Sequence, residues 1–132
     1  MHLILDTEIL IQQPHLLSLG GKKVKFILPQ VVLEELREVR FGKDFVDLIE
    51  AAAQTKRLEI LPRPVPQKLK HTVSRMNPGD ESVIQTALHY VKTKKDAILV
   101  TEDNKLKTVA EKYGILTADG TQILKRLEYW KK

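Results

Sequence analysis

The sequence predicts an α/β fold built on a mostly parallel sheet, and two observations predict it. Short unbroken apolar runs, such as Leu3-Ile4-Leu5 and Ala97-Ile98-Leu99-Val100, recur along the chain. Between them lie segments whose apolar residues repeat at helical spacing. The runs do not alternate with polar residues, which is the pattern of strands covered on both faces. Strand followed by helix, repeated, argues for a parallel sheet with helical crossovers.

Leu3-Ile4-Leu5 is the first strand, closed by Asp6, and Asp6 to Ile11 reads as a cap and a helix start. Gly20-Gly21 breaks the chain. Gly20-Gly21-Lys22-Lys23 is a turn, since it lacks the spacing of a phosphate-binding loop. Val24 to Leu28 is the second strand, ended by Pro29. From Gln30 to Val39 the residues Val31, Val32, Leu36 and Val39 fall at helical spacing, and Gly42 is expected to end that helix. Phe45, Leu48, Ile49 and Ala52 mark the next helix. Leu58 to Leu61 is the third strand, stopped by Pro62.

Pro62, Pro64 and Pro66 predict a stiff connector, and a weaker helix is expected from Gln67 to Arg75. Asn77 to Asp80 is a turn that opens a helix with Val83, Ile84, Ala87, Leu88 and Val91 on its apolar face. Ala97 to Val100 is the fourth strand. Leu106, Val109 and Ala110 mark a helix ended by Gly114, and Ile115-Leu116 suggests a short fifth strand. Ile123, Leu124 and Leu127 imply a last helix. There is no internal repeat and no convincing boundary, so residues 1–132 are expected to form a single domain.

The chain carries 22 Lys and Arg against 17 Asp and Glu, a net charge of +5 and a pI of about 9.4. That balance suits a polyanionic partner, and equally a merely soluble surface. Cysteine is absent, which excludes a disulfide framework and a thiolate zinc site. No charged leader with an apolar core opens the chain, and no apolar run nears the roughly 20 residues of a membrane span. A cytoplasmic protein without membrane association is the expectation. His2, His15, His71 and His89 are scattered without a ligand pair and read as surface or packing residues. Lys22, Lys23 and Lys25, and Lys92, Lys94 and Lys95, form two clusters that read first as solvated and second as phosphate contacts. Tyr129 and Trp130 suit packing on the body or at a dimer contact, and with Tyr113 they are too dispersed for a base-stacking platform.

Acids recur where strands end and helices begin. Asp6 follows the first strand and Asp103 the fourth, and ligands of open α/β sheets bind beyond the carboxyl ends of the strands. Asp80 opens the helix before the fourth strand. Glu35 lies beside Leu36 at the edge of a buried helix face. Each has a plain alternative. Asp6, Asp80 and Asp103 sit where a helix cap is useful, worth about 1 kcal/mol, and Glu35 alone is an ordinary solvated helix residue. If the set converges, its carboxylates repel and take up protons unless a cation sits among them. An oxygen-only pocket suits Mg²⁺ or Mn²⁺. Such an ion can activate water and stabilise charge on a phosphate, while surrounding Lys and Arg attract the polyanion.

Four stretches now carry a resemblance: LILDTEIL (Leu3 to Leu10), LPQVVLEEL (Leu28 to Leu36), GDESVIQTAL (Gly79 to Leu88) and ILVTEDNKL (Ile98 to Leu106). In that order the chain resembles the PIN-domain family of metal-dependent nucleases, which includes VapC-type toxins. The resemblance implies a three-layer α/β/α fold with a central, mostly parallel sheet of about five strands and acids at its C-terminal edge. It implies Mg²⁺ or Mn²⁺ held by Asp6, Glu35, Asp80 and Asp103, which are then both catalytic and metal-binding, with Thr7 and Thr101 in support. Glu34 is the rival of Glu35 by one position, and Glu81 and Glu102 stand off the main motif positions. The activity implied is hydrolysis of RNA phosphodiesters by an endoribonuclease. The candidate partners are an RNA substrate, an antitoxin protein and a second copy in a homodimer.

Other assignments remain open. The GDESVI and TEDNKL stretches are also similar to PIN endonucleases that process ribosomal RNA, although those commonly carry a zinc module that this chain has no cysteine to build. A non-catalytic PIN-like module binding RNA or protein is a further alternative. A phosphoacceptor receiver-like domain would want paired acids after the first strand and an acceptor Asp after the third, where this chain has Asp6-Thr7 and Leu61-Pro62.

Overall fold

The computed structural model describes residues 1–19, 23–39, 42–61, 78–93 and 95–130. Five strands form one sheet in the order β3-β2-β1-β4-β5, and every pairing is parallel. The strands are β1 (His2–Leu5), β2 (Lys25–Pro29), β3 (Leu58–Leu61), β4 (Ala97–Val100) and β5 (Thr117–Ala118). Between and after them run α1 (Thr7–Gln12), α2 (Gln30–Glu38), α3 (Gly42–Gln54), α4 (Pro78–Lys92), α5 (Asn104–Lys112) and α6 (Gly120–Trp130). Helices on both faces of the sheet make the three-layer α/β/α arrangement, as expected.

The apolar runs lie where double coverage requires them. Leu3, Ile4 and Leu5 of β1, Phe26, Ile27 and Leu28 of β2, and Leu99 and Val100 of β4 are fully buried. Burying each such side chain stabilises by about 1.5–3 kcal/mol, so the central three strands anchor the fold. β1 sits at the centre. The chain builds β2 and β3 on one side of it, then crosses to β4 and β5 on the other. The order therefore reverses between β1 and β4. At such a switch point the connections leave in opposite directions and open a crevice beyond the strand ends. Register fixes what borders it: Leu5 pairs with Val100, which brings Asp6 and Thr101 level.

Several boundaries depart from the sequence expectations. Gly42 does not end the helix before it; α2 stops at Glu38 with Val39 extended, and Gly42 is the first residue of α3. Its N–H donates to Val39 O at 2.9 Å. A Cβ at Gly42 would lie 2.1 Å from Leu36 O, so glycine is needed there for close approach of two backbones. The second strand runs one residue later than expected, since Pro29 is paired to Leu61 and then leads into α2. The fifth strand is Thr117–Ala118 rather than Ile115-Leu116. Gly114 turns at φ +74 and Ile115 N is still tied to Ala110 O, so the ladder starts two residues on and leaves Leu116 66% exposed. Leu48 faces solvent, and Val46 takes its expected place in the core.

A 3-10 helix at Pro14–Leu19 was not expected; it buries Leu16 and Leu17. The Pro62–Pro66 connector, the helix expected over Gln67–Arg75, His71, Lys94 and the turn residues 20–22 lie outside the described residues, as do the side chains of Tyr129 and Trp130. Among the described residues, no helix is long and apolar enough to cross a membrane.

Candidate active site

The four acids are delivered by four separate elements to the C-terminal edge of the sheet. Asp6 ends β1 and caps α1: its Oδ1 accepts from Ile9 N at 2.9 Å. Asp103 follows β4 and caps α5, where its Oδ1 accepts from Lys105 N at 2.8 Å and Leu106 N at 3.3 Å. The capping alternative thus holds for both, and leaves the second oxygen of each to other work. Asp80 does not take the capping position expected for it. It is the third residue of α4, inside the first turn. Glu35 lies on α2 and turns inward, whereas Glu34 beside it is exposed.

One relay of hydrogen bonds and peptide links runs past all four, reaching Asp80 through its chain neighbour Gly79. Thr101 donates its hydroxyl to Asp6 Oδ2, across the switch point between β4 and β1. The same Thr101 oxygen accepts from Asp103 N at 3.1 Å. Thr7, next to Asp6, donates to Glu35 Oε2 at 2.9 Å. The other oxygen of Glu35 accepts from Gly79 N at 3.0 Å, one residue before Asp80. From α4 to α5 the order along the edge is Gly79–Asp80, Glu35, Thr7–Asp6, Thr101, Asp103. The two threonines are the struts of this arrangement, each holding one carboxylate through a single hydroxyl.

The acids also press on one another electrostatically. Burial pushes the Asp6 carboxyl above its ordinary 3.8; hydrogen bonds from Thr101 and Ile9 pull it back, and Glu8 and Asp103 raise it further. Asp6 is only 4% exposed. The Asp80 carboxyl is pushed up to about 6, first by burial and then by the charges of Asp103, Asp6 and Glu35. All three of its charged neighbours belong to the predicted set.

The folded chain therefore holds a proton on Asp80 more tightly than the unfolded chain does. Stability from this group is fully present below about pH 4 and is lost as pH rises through about 6. Asp6 acts in the same direction. The metal-free protein is expected to melt at a lower temperature at about pH 7.5 than at about pH 5. Mg²⁺ or Mn²⁺ added at the higher pH should recover much of the difference by mass action on the folded state. Asp80→Asn should flatten the pH dependence. Thermal melts of the two proteins across that range check this, and identical profiles would refute the mutual pressure among the acids.

The donor set fits a hard divalent cation in its chemistry: oxygen only, with several negative charges. Among the described residues, no three His, Cys, Asp or Glu side chains are already drawn tightly enough together to hold a metal ion by themselves. Mg²⁺ keeps several waters and binds through one or two carboxylates plus substrate phosphates rather than in an all-protein cage.

Two neighbouring acids serve structure. Glu102 Oε1 accepts from Gly120 N at 2.7 Å and so satisfies the start of α6. Asp119 caps the same helix in a reciprocal pair with Gln122, at 2.8 and 2.9 Å. Glu81 is half-buried beside Asp80. Sequence reasoning missed Gly79. A Cβ there would stand 2.3 Å from Glu35 Oε1, so Gly79 is the cradle of that carboxylate. The only signal was its place in an Asn-Pro-Gly-Asp turn, which explains a glycine without any site.

An α/β/α domain whose acids gather at the switch point of a parallel sheet belongs to the open α/β folds, whose ligands bind beyond the carboxyl ends of the strands. A profile of the PIN domain matches residues 3–121, and the chain belongs to that family, whose domains are generally metal-dependent nucleases. Among solved structures, the PilT N-terminus domain protein SSO1118 from the hyperthermophilic archaeon Sulfolobus solfataricus P2 is similar at a TM-score of 0.59 and 15% identity, over 96% of this chain and 93% of that one. The T. brucei RRP44 PIN domain is similar at a TM-score of 0.66 and 13% identity, over 98% of this chain and 82% of that one. At these identities the likeness shows the fold alone. No curated protein sequence matches.

Proposed function

We propose that the chain is a divalent-metal-dependent endoribonuclease, with Asp6, Glu35, Asp80 and Asp103 as the acids that hold Mg²⁺ or Mn²⁺. The relay from Gly79 through Glu35, Thr7, Asp6 and Thr101 to Asp103 carries this reading. Bonds that a set of unrelated caps would not need hold the carboxylates of Asp6 and Glu35, with Asp103 tied in through its N–H and Asp80 next to Gly79.

A bound divalent cation supplies a lowered water pKa and charge neutralisation at the scissile phosphate. The chain's own part is to orient its carboxylates. Thr101 and Ile9 fix the Asp6 carboxyl, and Thr7 and Gly79 N–H fix that of Glu35. Lys105, exposed in the first turn of α5 beside Asp103, is placed to meet the polyanion near the acids. An acidic edge within a basic chain then has a reason: the acids would hold the cation, and the basic side chains would draw in the phosphate backbone. RNA is the proposed substrate.

The direct test is cleavage of a mixed RNA pool by the purified chain with Mn²⁺, with Mg²⁺ and with excess chelator. Endonucleolytic products that disappear with chelator are expected, with metal binding detectable by calorimetry. Failure to bind either ion would leave a non-catalytic PIN scaffold and defeat the proposal. A toxin role and an RNA-processing role share this chemistry and differ in partner. If the chain is a toxin, its expression alone should arrest growth in an Asp6-dependent way, and co-expression of the adjacent small reading frame should relieve the arrest.

A further inference from the structure

The acid edge is closed in the same way at each end. At the α4 end, Glu35 Oε1 accepts from Gly79 N at 3.0 Å, and a Cβ on Gly79 would collide with that carboxylate. At the α6 end, Glu102 Oε1 accepts from Gly120 N at 2.7 Å, and a Cβ on Gly120 would stand 3.0 Å from that oxygen. Gly79 is the second residue of α4 and Gly120 the first of α6. Each carboxylate thus sits on a backbone N–H at a helix start, where negative charge is stabilised. The two glutamates differ in their neighbours. Glu35 belongs to the acid set itself, whereas Glu102 stands between Thr101, which holds Asp6, and Asp103.

The sheet alone gives the junction between β4 and α5 little support. Its flank is β5, which is two residues long. Leu99 pairs with Thr117 and Val100 with Ala118, and the ladder stops there. Two bonds then tie the junction to the start of α6: Thr101 N donates to Ala118 O at 3.0 Å, and Gly120 N donates to Glu102. The α6 side is stiffened in turn by the paired bonds between Asp119 and Gln122. Gln13, at the end of α1, packs its carboxamide on the same glycine, with Nε2 2.5 Å from where a Cβ would stand. Its Oε1 is buried with no hydrogen-bond partner among the described residues, so packing seats the amide over Gly120.

We propose that Glu102 is a positioning residue for Asp103. Its bond to Gly120 N fixes the peptide immediately before Asp103 against α6, and so fixes the direction in which the Asp103 carboxylate leaves the chain. Asp103 supplies the remaining ties: its N–H is on Thr101 Oγ1, and its Oδ1 accepts from Lys105 N and Leu106 N. The role asks for an acceptor at Glu102 Oε1 and not for its charge. That separates it from a metal ligand, for which the charge matters. It also separates it from a plain helix cap, whose loss would loosen α6 and leave Asp103 where it is. The geometry stands without the nuclease reading, and its consequence for metal binding rests on that reading.

Two variants of the full chain test it: Glu102→Gln keeps the acceptor, and Glu102→Ala removes it. Circular dichroism establishes that both are folded. Amide hydrogen exchange of the metal-free chain, followed by NMR, reads the junction directly. Glu102→Ala should speed exchange at Asp103 and Lys105 at least about tenfold, as well as at Gly120, while Glu102→Gln stays near the wild type. Calorimetry with Mn²⁺ should show an affinity about tenfold weaker for Glu102→Ala and little changed for Glu102→Gln. Exchange altered around Gly120 alone would make Glu102 only a cap of α6 and overturn the proposal. Equal loss of Mn²⁺ affinity in both variants would mark Glu102 as a ligand and overturn it too. A wild-type chain that binds no Mn²⁺ would defeat the nuclease reading, and the exchange at Asp103 and Lys105 would then decide the positioning role by itself.

Discussion

Asp6→Asn is expected to lower metal-dependent RNA cleavage at least about 100-fold while leaving the fold intact. The two halves of that expectation come from different atoms. Asn keeps a carbonyl oxygen where Asp6 Oδ1 accepts from Ile9 N, so the cap of α1 survives. Its amide meets the Thr101 hydroxyl, which can accept as well as donate, so the strut across β1 and β4 also has a bond to make. What disappears is a negative charge at the centre of the relay. Burial already disfavours that charge, as its raised pKa records, so without metal the variant should melt no lower than the wild type. With metal it should gain less stability than the wild type does. Cleavage rates and paired melts, with and without Mn²⁺, give the answer. A variant that cleaves at the wild-type rate would remove Asp6 from the site and with it the centre of the proposed mechanism.

The sheet was legible in the sequence because its strands are covered on both sides. Leu3-Ile4-Leu5 and Ala97-Ile98-Leu99-Val100 admit no polar residue and each ends at a polar junction. The site was legible only as four separate junctions, each with an ordinary capping explanation. Convergence depends on strand order, and nothing local to Asp6 or Asp103 says that β4 pairs with β1 rather than β3. The choice of Glu35 over Glu34 depends on which face of α2 meets Gly79 and Thr7, a tertiary fact.

The misses have the same character. Ile115-Leu116 reads as a strand by composition, but the helix-ending bond from Ile115 N to Ala110 O claims it first. Gly42 reads as a helix stop, but its missing Cβ serves a close approach to Leu36 O at the start of α3. The capping pair Asp119 and Gln122 had a readable signature, an acid followed three residues later by Gln. The apolar residues Ile123, Leu124 and Leu127 place that helix without marking where it starts.

Gly79→Ala is expected to lower cleavage by about 10- to 100-fold although it replaces none of the acids. The added methyl would begin 2.3 Å from Glu35 Oε1 and 2.5 Å from Oε2, well inside contact distance. Either the carboxylate or the start of α4 must move. Moving the carboxylate breaks its bonds to Gly79 N and to Thr7, and moving α4 displaces Asp80, the next residue. Both routes separate Glu35 from Asp80, so the loss does not depend on which gives way. The change lies at the second residue of α4, where alanine is a better helix former than glycine. Local propensity therefore favours the variant, and only the contact with Glu35 opposes it. Pairing the substitution with Glu35→Gln separates the two effects: if Gly79 acts through Glu35, the double variant should be little worse than Glu35→Gln alone. Additive losses would mean that Gly79 matters for some other reason, and full activity of Gly79→Ala would show that the carboxylate of Glu35 need not be held there at all.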